Sequence, residues 1–122
     1  MLTSFYERAD ENLKSAEILY NSGLYNASAN RAYYSAFQIS LVLLWDKGFE
    51  PKIDHKNALS MFINEFINKK KIFPSNYKNC LYTLQEIRNK ADYQYGISKN
   101  KAKEQLKFAK LFYSEVLKEI VQ

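Results

Sequence analysis

Apolar side chains at Leu2, Tyr6, Ala9, Leu13, Ala16 and Tyr20 recur at alternating spacings of four and three, which draws one stripe along a helix. Gly23 follows the last of them and is the expected stop, because glycine enters the left-handed region without a Cβ penalty. A different pattern runs from Tyr25 to Trp45. Between Ala32 and Trp45 only Ser35, Gln38 and Ser40 are not apolar, so this second helix is expected to be central and buried. Its Ala29, Ala32, Ala36 and Ser40 fall on one side at helical spacing and allow a neighbouring helix to approach closely. Gly48 and Pro51 mark the loop that follows.

Asp54 is placed to cap a third helix over about His55 to Lys69, with Ala58, Leu59, Phe62, Phe66 and Ile67 facing inward. Pro74 separates it from a fourth, capped by Ser75 or Asn76. There the stripe reads Tyr77, Leu81, Leu84 and then Arg88, so a guanidinium continues an apolar row. A second phase, Cys80, Leu84, Ile87 and Ala91, fits as well and puts Arg88 at the edge of the buried face. Gly96 closes this helix, and Ser98 caps a last one striped by Ala102, Leu106, Ala109, Tyr113, Val116 and Ile120. The expected fold is all-α, a five-helix antiparallel up-and-down bundle forming one domain over residues 1–122.

Composition narrows the class further. With 122 residues, 47% apolar and 25% charged, the chain suits one core, and 3 Gly and 2 Pro are too few for the turns of an all-β sandwich. Cys80 is the only cysteine and has no intramolecular partner. No charged-then-apolar leader precedes Thr3, and the apolar run from Ile39 to Trp45 is far short of a membrane span, so a cytoplasmic protein without membrane contact is expected. The net charge of +5 is concentrated in residues 68–90, where Lys69, Lys70, Lys71, Lys78, Arg88 and Lys90 face only Glu86 in opposition. Such a cluster suits phosphates, and it also describes a plain solvated surface.

Most catalytic constellations are missing. One His and one Cys offer no zinc ligand set, no Glu-x-x-His pair exists for a di-iron centre, and the three glycines are too scattered for a phosphate loop, so neither metal nor cofactor is expected. A nucleophile activated by histidine would need His55, and a lone His at a helix start is more often a capping or surface residue. The segment from Arg88 to Gly96 is the most unusual in local composition. Arg88 and Asp92, four apart, share a helix face and form either a structural ion pair or a phosphate-holding Arg oriented by an Asp, beside Asn89 and Tyr93 as hydrogen-bonding groups. Tyr33, Tyr34, Phe37 and Trp45 are most simply core or dimer packing, whereas Tyr93 and Tyr95 could stack on bases.

Three segments together resemble the HEPN (higher eukaryotes and prokaryotes nucleotide-binding) superfamily: Arg31 to Phe37 in the second helix, Asp54 to Ala58 opening the third, and Arg88 to Tyr93 ending the fourth. The chain is similar, from about residue 3 to 118, to small stand-alone prokaryotic members paired with minimal nucleotidyltransferases. The resemblance implies a homodimer whose fourth helices face each other across a basic cleft. It also implies a metal-independent ribonuclease motif, an Arg followed some four to six residues later by a His. Arg88 matches the Arg. The His position is Tyr93, whose phenol, with a pKa ordinarily near 10, is a poor general base.

Two readings follow from the resemblance. One is an RNA-directed protein of a toxin–antitoxin or defence module, with Arg88, Asp92 and Tyr93 as the catalytic set and Lys69, Lys70, Lys71, Lys78, Asn89 and Lys90 binding nucleic acid. The other is a non-catalytic nucleotide-binding or partner subunit of a nucleotidyltransferase encoded nearby. For the first, the resemblance implies that such a partner enzyme transfers a nucleotide onto Tyr95, placed like a tyrosine that follows the motif His, and so blocks the cleft to RNA. The sequence leaves the role of His55 open.

Overall fold

The computed structural model describes residues 2–93 and 96–120, the side chains of Leu2 and of residues 90–93 excepted. Among them are five helices and no strand: α1 (Leu2–Asn21), α2 (Tyr25–Asp46), α3 (His55–Phe62), α4 (Asn76–Tyr93) and α5 (Lys99–Ile120). None is long and apolar enough to cross a membrane.

The stops fall where residue chemistry puts them. Gly23 turns the chain after α1 at φ +79°, in the left-handed region that costs an L side chain about 1–2 kcal/mol. Asp54 caps α3 from an extended backbone, its carboxylate accepting the Asn57 amide at 2.8 Å. The third helix departs from expectation in its second half, where Ile63–Lys69 is π-helical. Phe62, Ile63, Phe66 and Ile67 are all buried there, one more than the predicted stripe, and just past its end Lys71 turns the chain at φ +53°.

Helix α2 is the axis of the bundle. Its seam with α1 is built from small residues: Ser28 Oγ donates to the Ala16 carbonyl at 2.7 Å, and Ser35 Oγ to the Ala9 carbonyl at 2.9 Å. Both pairs are spaced by seven, two helical turns, in opposite directions, so the helices run antiparallel. On another side Ala29 packs with Ile87 of α4 and with Ile97 and Ala102 at the start of α5. Phe62, Phe73, Tyr77, Phe108 and Phe112 join α3, α4 and α5 in one aromatic cluster.

Nearly every apolar residue of α2 from Ala29 to Leu44 is buried by the chain's own helices. The apolar face of α2 is therefore covered within one chain, as its pattern leads one to expect of a central helix. Residues 47–54 form no regular element and carry the chain back along α2, so that α3 begins beside the middle of that helix, with His55 against Tyr33 and Phe37.

Candidate functional site

The return of the chain brings chemistry-bearing groups together around Arg88. The cap at Asp54 fixes the first turn of α3 and sets His55 at its first helical position. Tyr33, Tyr34 and Phe37, at i, i+1 and i+4 of α2, wall its imidazole with ring centroids 5.3, 5.5 and 4.5 Å away. Arg88 reaches the same place from α4, where Leu84 and Ile87 bury the helix face and leave its guanidinium half-buried at the edge.

Arg88 is held at several points. Its Nη2 donates to the Tyr34 hydroxyl at 3.0 Å, its Nη1 to the Asn89 side-chain oxygen at 2.7 Å, and its Cζ lies 5.2 and 5.4 Å from the Tyr33 and Tyr34 rings. The aromatic faces attract the cation while they fix its plane. His55 Nε2 stands 3.5 Å from Arg88 Nη2, and His55 Nδ1 stands 2.6 Å from the Tyr33 hydroxyl.

Donor counting assigns the imidazole's proton. A guanidinium only donates, so the nitrogen facing it carries the lone pair, which places the ring hydrogen on Nδ1 with Tyr33 Oη as its acceptor. Burial, and then the charge of Arg88, lower the His55 pKa below 6.5, with Asp54 opposing them, so the ring is neutral near pH 7. Burial raises the Tyr33 phenol, which stays protonated.

The other predicted site residues divide. Asn89 is exposed and belongs to the cluster through Arg88. Lys90, Asp92 and Tyr93 lie in the last turns of α4 with side chains outside the described residues, and Tyr95 lies outside them altogether. The lysine run does not join the cluster. Lys69 is paired with Glu65 at 3.0 Å, Lys70 sits over the rings of Phe49 and Phe66, and Lys71 is exposed beyond the far end of the third helix from His55. Lys78 is ten residues before Arg88 on α4, about 15 Å along the axis. Within one chain the basic stretch is therefore spread over more than one place, since linear charge density does not say which helix end a lysine occupies.

Three participants, His55, Tyr33 and Tyr34, were not read as functional from residue chemistry. Their signal lay in two of the segments that carry the family resemblance. No group of three or more His, Cys, Asp or Glu side chains converges to hold a metal among the described residues. A groove of about 400 Å³ is lined by Gly23 to Ala27 and Ile97 and includes neither Arg88 nor His55.

The model of the HEPN domain family matches residues 2–120. Two proteins of Methanocaldococcus jannaschii are similar in sequence. The one named "Putative toxin MJ0142" is 36% identical over 94 residues, covering 75% of this chain and 61% of its own length. The one named "Putative toxin MJ0605" is 35% identical over 92 residues, covering 75% of this chain and 67% of its own. The UPF0332 protein PH1297 of Pyrococcus horikoshii is 39% identical over 59 residues, 48% of this chain and 41% of its own.

Proposed function

Because this chain belongs to the HEPN domain family, we propose that it is an RNA-directed protein of the toxin kind, gripping a backbone phosphate at Arg88. The observation that carries this reading is the guanidinium itself, laid on Tyr33 and Tyr34 and pinned by the Tyr34 hydroxyl and the Asn89 amide. A planar donor fork held in advance loses little entropy when it meets a phosphodiester. The names of the two M. jannaschii relatives support the toxin assignment. The protein acts as a homodimer on this reading, with the two α4 motifs facing each other.

Fluorescence anisotropy with a labelled single-stranded RNA tests it. Arg88→Ala should weaken binding by about tenfold or more, the worth of one hydrogen-bonded charge contact. RNA affinity that is absent at about 50 mM salt, or unchanged in Arg88→Ala, overturns the reading.

Tyr93 at the motif His position favours a second reading, a nucleotide-binding partner of a nucleotidyltransferase. Co-expression with a neighbouring nucleotidyltransferase and intact-mass measurement tests it. A stable complex of the two proteins with no RNA affinity supports this reading, whereas a nucleotide-sized mass increase that disappears in Tyr95→Phe supports the first reading, in which the added phosphate blocks the cleft to RNA.

A further inference from the structure

We propose that His55, from the start of α3, is the catalytic proton acceptor of an RNA-cleaving site centred on Arg88, in place of the histidine the family motif would put at Tyr93. The inference rests on the phosphate-binding reading above and adds a reaction to it. Its basis is geometric: the imidazole and the guanidinium reach one point from different helices, with Nε2 3.5 Å from Nη2.

The arrangement supplies what cleavage by the RNA's own 2′-hydroxyl requires. A phosphodiester on Arg88 lies beside Nε2, the ring nitrogen that carries the lone pair. The 2′-O–H bond gives its proton to Nε2 as the 2′-oxygen forms a bond to the adjacent phosphorus. The P–O5′ bond breaks, the 5′-oxygen takes a proton from water, and the imidazolium returns its own to the resulting hydroxide. The products are a 2′,3′-cyclic phosphate and a 5′-hydroxyl, with no net proton consumed and no metal or oxidant required. Arg88 meets the charge that grows on the phosphorane oxygens.

The surroundings keep His55 in the required state. Tyr33 Oη, accepting from Nδ1–H at 2.6 Å, fixes the tautomer and the ring plane, and the tilted Phe37 ring, its centroid 4.5 Å away, hinders rotation. Among the described residues, the titratable and charged groups that face the imidazole are Tyr33 and Tyr34 from α2, Arg88 from α4, and Asp54 at its own helix start. Burial and Arg88 leave it unprotonated near neutral pH, and an arriving phosphate offsets Arg88, so the ring becomes a stronger base once substrate is bound.

The test separates binding from chemistry. Labelled single-stranded RNA and total cellular RNA are incubated with the full chain in EDTA, and cyclic-phosphate ends are counted. His55→Gln should lower the cleavage rate by about 100-fold or more while the RNA Kd stays near the wild-type value. The wild-type rate should rise with pH through the His55 pKa, which NMR measures without ambiguity because the chain has a single histidine. RNA that binds but is not cleaved, or equal rates in His55→Gln, overturns the proposal and leaves the phosphate site standing. Loss of both binding and cleavage in a folded His55→Gln assigns a positioning role and also overturns it. Absence of any RNA binding removes the phosphate reading first. A second measurement needs no variant: uncleavable 2′-O-methyl RNA should raise the His55 pKa in the wild-type chain, and an unmoved titration overturns the proposal.

Discussion

His55 sits where its protonation has an energetic sign that can be worked out. The unfolded chain takes up this proton near pH 6.5, whereas burial and the neighbouring guanidinium make the folded chain resist it to lower pH. The associated stability is therefore complete above about pH 6.5, falls as pH drops toward the folded pKa, and then levels. Thermal melts at about pH 7 and pH 5.5 should show a larger loss in the wild type than in His55→Gln. Equal losses would mean that the imidazole is as easily protonated in the folded chain as in water. Arg88→Ala removes the second of the two lowering causes, so it should raise the His55 pKa measured by NMR. Of these two residues, Arg88 was legible in the sequence because it interrupts an apolar stripe. His55 was not, since its partners Tyr33 and Arg88 lie 22 and 33 residues away along the chain.

Among the elements, the α1–α2 seam and the end of the third helix are the most exposed to single changes. Ala9 is completely buried where Ser35 meets its carbonyl. Ala9→Leu would force the helices apart and should cost about 1–3 kcal/mol, while Ser35→Ala, which loses one buried hydrogen bond, should cost about 1 kcal/mol. Urea denaturation orders the two, and the reverse order would refute the close-packed seam. Just past the π-helical segment, Lys71 turns the chain in the left-handed region. Lys71→Gly relieves that strain at some cost in chain entropy, and the melting temperature should rise, by the equivalent of up to about 1 kcal/mol. The apolar periodicity of 55–69 reveals a helix there but not its π-helical half, because buried residues at 62, 63, 66 and 67 are consistent with either winding.

At the scale of the whole molecule, charge placement sets how RNA binding should respond to salt. Arg88→Ala should reduce the slope of log affinity against log salt by about 0.7, one single-strand phosphate contact. Lys69→Ala should change it much less, since Lys69 already faces Glu65 and lies at the far end of its helix. Equal effects would place RNA along the whole basic stretch instead of at the Arg88 cluster. Light scattering at micromolar concentration should give the dimer mass on the proposed reading, and a monomer would remove the facing arrangement of the two α4 helices. Since most apolar residues of α2 from Ala29 to Leu44 are already covered within one chain, they leave little apolar surface for such a dimer.

Helix positions, the stops at Gly23 and Pro74, the Asp54 cap and the buried stripes were determined by the sequence itself, because periodicity and capping act between residues a few positions apart. Where Arg88 stands on its helix was determined in the same way. The tertiary structure decided what Arg88 meets. The irregular run of 47–54 carries α3 back along α2, which sets His55 beside Arg88 and leaves Lys69, Lys70 and Lys71 at the opposite end. That outcome depends on how three helices pack around Tyr33, Tyr34 and Phe37, and contacts between residues so far apart in sequence leave no local period to read.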